Sequence, residues 1–123
     1  IHAAPARFYP FFWGHAHERG AGAGVGANLN LPLPRGTGDD DYLDTLDTAL
    51  ARIAAFGTDA LVVALGLDAA IDDPFRGLAV TPDGFARIAA KIAAHGVPTL
   101  WVQEGGYLSD SLGLNLTRVL ANA

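Results

Sequence analysis

The sequence contains neither cysteine nor methionine. Without thiols there is no disulfide framework, no thiolate metal site and no cysteine nucleophile, so any metal must take nitrogen and oxygen ligands. The chain opens on Ile1-His2-Ala3, with no initiator and no charged segment followed by an apolar stretch. The expectation is a fragment or a processed piece. Cations are scarce: eight Lys and Arg face thirteen Asp and Glu, a formal net charge of -5. That balance matches a phosphate backbone poorly and mildly attracts cationic substrates. Long apolar runs are also missing. The longest, Ala60 to Leu67, has strand length, far short of the roughly 20 residues that span a bilayer. The expected protein is soluble and cytoplasmic, with no nucleic-acid or membrane partner.

Apolar residues make up 50% of the 123 positions, enough to bury one core in a unit the size of one domain. The first 38 residues show no helical period. Phe8-Tyr9-Pro10-Phe11-Phe12-Trp13 is followed by glycines at 20, 22, 24 and 26, which predicts a long loop of the kind that often carries function. Asn28-Leu29-Asn30-Leu31-Pro32-Leu33 alternates polar and apolar and suits a short edge strand.

From Asp39 the spacing of Leu43, Leu46, Leu50 and Ile53 predicts a helix of about four turns, with acids in its first turn and Gly57 as its stop. Ala60 to Leu65 is continuously apolar, the mark of a parallel strand covered on both faces. Thr81-Pro82-Asp83 reads as an N-cap, a first-turn proline and a first-turn acid. Phe85, Ile88, Ala89 and Ile92 form the buried stripe of that helix and Gly96 ends it. Val97 to Val102 predicts a second buried strand, and Leu112, Leu116 and Leu120 a closing helix. This alternation predicts an α/β fold with an open parallel sheet flanked by helices, its two strands running the same way.

In open α/β sheets ligands sit beyond the carboxyl ends of the strands, so Asp68 and the run from Gln103 to Tyr107 are the candidate site. Asp68 follows a buried strand and could give zinc a hard oxygen ligand; by itself it reads first as a loop-capping aspartate. Tyr107 follows two glycines that permit close substrate approach, and its hydroxyl could donate to a developing oxyanion, although turn tyrosines usually only pack.

Taken together, Leu65-Gly66-Leu67-Asp68, Asp73-Pro74, Thr81, Gly84 and Gln103-Glu104-Gly105-Gly106-Tyr107 resemble the C-terminal signature of the histone deacetylase superfamily. Phe8-Tyr9-Pro10, the glycines after Glu18 and the Asn28 to Leu33 segment resemble it in the same order. The Gln103-Glu104 pair is more similar to the bacterial acetylpolyamine amidohydrolase branch. The resemblance implies that residues 1-123 are the C-terminal part of one arginase/deacetylase-like domain. It implies zinc-dependent hydrolysis of acetyl or related acyl amides on cationic amines such as acetylpolyamines or acetyl-lysine. It makes Asp68 a zinc ligand and Tyr107 the hydroxyl that polarises the amide carbonyl, with Tyr9 lining the acyl tunnel and Gly105 and Gly106 forming its floor. Structural K+ ions on backbone carbonyls near Ile1 and Ala27 are implied as well, and a homo-oligomer is open.

In the family an Asp-x-His segment and a histidine pair precede the part resembled here, and His2, His15, His17 and His95 stand in no matching context. One carboxylate cannot hold a catalytic zinc, so the expectation is a chain inactive by itself. Three other motifs read as bland. His15-x-His17 sits in a glycine-rich loop poorly organised for a metal. The Gly20 to Gly26 run precedes a strand and lacks the Lys-Ser/Thr of a phosphate loop. Asp39-Asp40-Asp41 lacks calcium-loop spacing and reads as helix capping and solvated surface. A non-catalytic α/β binding module, or a half-enzyme completed by a separate chain, stands as the alternative.

Overall fold

The computed structural model describes residues 1–123. In chain order the elements are β1 (His2–Ala3), β2 (Pro32–Leu33), α1 (Asp39–Phe56), β3 (Leu61–Leu65), α2 (Pro82–Ala93), β4 (Thr99–Gln103) and α3 (Leu112–Leu120), with single 3-10 turns at Pro5–Arg7, Gly22–Gly24 and Leu67–Ala69. Strands β3 and β4 pair in parallel, from Leu61 opposite Thr99 to Leu65 opposite Gln103. The predicted crossover is therefore present, and the chain segments leaving both strands emerge at one edge.

Each helix forms where the apolar spacing places it. Helix α1 spans 18 residues, a turn longer than expected, and Gly57 closes it in the left-handed conformation (φ 78°, ψ 50°) that glycine adopts without a Cβ clash. Helix α2 starts on Thr81, whose hydroxyl accepts from the Gly84 amide at 3.1 Å. Leu43 and Leu46 of α1, Leu65 of β3, Phe85, Ile88, Ala89 and Ile92 of α2 and Val119 of α3 meet in one core.

Four expectations change. Strands β3 and β4 are covered on one face only: Leu61, Val63 and Trp101 pack on the core, whereas Val62 (70% exposed), Ala64, Leu100 and Val102 form an open apolar face. The period-2 geometry of a strand sends alternate side chains to opposite sides, and these 123 residues place helices on just one of them. The buried stripe of α3 is Leu112, Asn115, Leu116 and Val119, leaving Leu120 exposed. Asn115 is buried with its amide nitrogen donating to Ser111 Oγ at 2.9 Å, while its Oδ1 has no partner. The strand expected over residues 28–33 shrinks to Pro32–Leu33, parallel to β1, because Asn28 and Asn30 direct their side chains to Glu18 and His15. Asp39 is not solvated surface. Its carboxylate accepts from Thr81 N at 2.8 Å and Thr81 Oγ1 at 2.6 Å, joining the starts of α1 and α2.

Candidate active site

The site is built where β3 and β4 end. The chain leaves β3 through Gly66 into the 3-10 turn that carries Asp68, and leaves β4 through Glu104, Gly105 and Gly106 to Tyr107. Two backbone hydrogen bonds extend the ladder past the strands, Glu104 N to Leu65 O at 3.0 Å and Leu67 N to Gly105 O at 2.9 Å. The two loops are thus held edge to edge, with donors and acceptors satisfied.

The glycines explain the close approach. A Cβ on Gly105 or on Gly66 would overlap the Asp68 carboxylate. Gly106 has φ 133°, and a Cβ there would crowd Leu67 and Leu112 at 3.0 and 3.1 Å. Conformation and space both demand glycine at 106.

Asp68 and Tyr107 open on one cleft of about 430 Å3, shared with Arg7, Phe8, Tyr9, Phe11, Asp73 and Phe75. Tyr107 is 48% exposed and meets the Phe75 ring edge to face, centroids 4.8 Å apart at 72°. Tyr9, 77% exposed, stands at the rim. Gly105 lies behind Asp68 and Gly106 turns towards the core, so neither is among the residues lining the cleft.

Phe8, Phe75 and Asp73 are cleft residues to which composition and spacing assigned no role. Asp73 is buried, and its Oδ1 accepts from the Phe75 amide at 2.8 Å. Burial pushes its carboxyl above the usual carboxylate range, the Phe75 amide pulls it down, and the charges of Asp68 and Asp72 push it further up. Asp72 beside it shifts down, because the Ser111 hydroxyl donates to its carboxylate at 2.6 Å. A second cavity of about 320 Å3, which shares Phe8, Tyr9 and Asp68 with the cleft, is lined by His2 and Tyr42. Burial raises the Tyr42 phenol, and the Asp68 charge adds to it.

The chain matches the histone deacetylase domain across residues 1–123. It belongs to the histone deacetylase domain family. It is 43% identical over 120 residues to acetylpolyamine amidohydrolase 1 of Pseudomonas aeruginosa, covering 98% of this chain and 35% of that protein. It is 47% identical over 115 residues to the acetylpolyamine amidohydrolase of Burkholderia pseudomallei, covering 94% of this chain and 34% of that one. The crystal structure of the acetylpolyamine aminohydrolase from Burkholderia pseudomallei superposes with a TM-score of 0.93 at 43% identity, over 98% of this chain and 35% of its own. The chain therefore spans about a third of the length of the curated relatives it matches. The α/β fold with its parallel β3–β4 pair is the histone deacetylase fold, and no helix is long and apolar enough to cross a membrane.

Zinc asks for three protein ligands and an open position in a catalytic site. Asp68 offers one carboxylate at a suitable loop end, and no group of three His, Cys, Asp or Glu side chains in the chain converges on a point. His15 and His17 stack with centroids 5.5 Å apart and find no third partner. Within these 123 residues Asp68 therefore stands as a single carboxylate at the end of the sheet, without two further side chains of ligand type beside it.

Proposed function

We propose that this chain forms the C-terminal part of a single deacetylase domain whose complete enzyme hydrolyses acetyl amides of cationic amines, acetylpolyamines or acetyl-lysine, with zinc as cofactor. The observation that carries this is the convergence of Asp68 and Tyr107, from the ends of adjacent parallel strands, on one aromatic-walled cleft. The acetylpolyamine amidohydrolase names of the similar proteins support the substrate class.

Asp68 would be one ligand, its carboxylate held in the space that Gly66 and Gly105 leave free. Zinc, when bound by a complete ligand set, supplies Lewis acidity at the amide carbonyl. The Tyr107 hydroxyl donates a hydrogen bond to the oxygen on which negative charge develops, a stabilisation larger in the transition state than in the ground state. Phe75 braces the Tyr107 ring, and Tyr9 with Phe8 walls off the acyl group. The acidic balance of the chain favours a cationic amine.

The test is a pair of variants in the complete enzyme. Tyr107→Phe is expected to retain zinc and lose about a hundredfold or more in turnover. Asp68→Ala is expected to lose zinc, measured by metal analysis after dialysis. Full turnover in the first, or full zinc content in the second, removes that residue from its role. Failure of both favours a non-catalytic module in which Asp68 caps a loop and Tyr107 packs.

A further inference from the structure

We propose that Arg35 is a positioning residue that sets the width of the cleft by strapping together the two chain segments that supply its aromatic walls. This rests on the amide-hydrolase reading of the same cleft. Arg35 lies outside the cleft, exposed, just after β2. Its Nη2 donates to the carbonyl oxygens of Phe75 and Arg76 at 3.0 and 3.3 Å. Its guanidinium carbon stands 4.8 Å from the centroid of the Phe8 ring. One side chain thus touches the wall from residue 8 and the wall from residue 75.

The loop it holds needs holding. Arg76 has φ 51°, a left-handed conformation that a residue with a long side chain adopts only when its surroundings impose it. Inside the loop the restraints are the Phe75 amide on Asp73 Oδ1 and the Arg76 amide on Asp73 O. Gly36 N ties the end of the loop to the segment after β2, donating to Gly77 O at 3.1 Å, and Arg35 from the same segment extends that tie to Phe75 and Arg76. The Phe8 ring also lies close to Gly77, where a Cβ would meet two of its carbons at 3.1 Å. The Phe75 ring meets Tyr107 edge to face, whereas the strap grips the Phe75 carbonyl and not its ring.

A planar guanidinium can lie over a ring while its N–H groups reach two carbonyls in its own plane, a geometry that a compact tetrahedral ammonium matches less well. The position therefore calls for arginine and not merely for positive charge. Arg35 touches neither Asp68 nor the Tyr107 hydroxyl, so its loss loosens substrate fit more than it slows the chemical step.

The experiment compares Arg35→Met and Arg35→Lys with the wild-type complete enzyme on N-acetyl and N-butyryl amides of one amine, alongside amide hydrogen exchange over residues 73–77. Arg35→Met is expected to raise KM for the acetyl substrate about three- to tenfold, the loss of one or two hydrogen bonds, with kcat within about twofold. The butyryl-to-acetyl ratio of kcat/KM rises, exchange at Phe75 and Arg76 quickens, and Arg35→Lys recovers less than half of the change in KM. Unchanged KM and acyl preference in an active enzyme overturns the proposal, as does a fall in kcat alone or full rescue by lysine. If the wild-type enzyme hydrolyses neither amide, the functional reading falls and exchange decides the strap: quickened exchange at residues 75 and 76 supports it, and unchanged exchange overturns it.

Discussion

The two parts of the chain that meet at the cleft are fixed by different forces. Residues 39–123 are held by an apolar core in which Val80, Ala89 and Val119 are fully buried. Of residues 1–38, only Ala3, Pro5, Leu33 and Thr37 are buried. Ala3 and Leu33 share a small apolar cluster with Leu78, and the order of the loop between them comes from polar contacts centred on Glu18. Its Oε2 accepts from the Gly14 amide at 2.7 Å, the His15 amide at 3.0 Å and Asn30 Nδ2 at 3.0 Å, and its carbonyl accepts from Asn28. A loop with little apolar surface to bury can still be specific when one half-buried carboxylate satisfies several donors. Arg52 adds a link between the two parts, donating to the Gly26 carbonyl at 2.7 Å.

Substitutions should separate the two regimes. The largest effect is expected from Phe85→Ala, which empties a site that is 2% exposed at the centre of the core; it should cost about 3–5 kcal/mol of stability, read by denaturant unfolding. A loss below about 1 kcal/mol would mean that the core is not what holds residues 39–123. Next comes Glu18→Ala. Removing the shared acceptor should cost about 1–3 kcal/mol locally, seen as faster amide exchange at Gly14 and His15 while exchange within α2 keeps its rate. Equal acceleration in both regions would show a single cooperative unit and erase the contrast.

The smallest effect concerns pH. The folded-state pKa of Asp73 is raised, so between the unfolded value and the raised value the native state holds more proton than the unfolded one, and stability falls as pH rises through that window. Asp72 has a lowered pKa and works in the opposite sense, its contribution present above the unfolded value and lost as pH falls through the folded one. Asp73→Asn keeps an acceptor for the Phe75 amide and removes the titration. Its melting temperature should therefore gain on the wild type as pH rises from acid towards neutral. A constant difference across that range would contradict the raised carboxyl.

Much of the fold was legible because its signals are local and periodic. The stripe of Phe85, Ile88, Ala89 and Ile92, the Thr81 cap and the Gly57 stop all mark elements where they stand. The α3 register was misread because leucine spacing was weighed without Val119 and without the hydrogen bond that Asn115 makes from its buried position. The open face of β3 and β4 was illegible for another reason: an apolar run records what a strand packs against in the whole domain, and not which part of the chain supplies the cover.

At the candidate site, the meeting of Asp68 and Tyr107 in one cleft was legible because a parallel sheet fixes where loops must emerge. Phe75 and Arg35 were missed, since each owes its place to a partner distant in sequence, and Asp73 entered only as part of the signature, with no role. Arg35 meets residues 40 and 41 positions away. The burial of Asp73 is set by the fold and not by its neighbours in the signature.

Position 105 gives the site an adjustable aim. The atoms that a methyl group there would strike belong to the Asp68 carboxylate, the free end of a side chain that can rotate, and not to backbone. Gly105→Ala should therefore leave β3, β4 and the core folded while turning the carboxylate away from its present direction. Glycine at this point works as a gunsight, an empty notch whose width decides where Asp68 points.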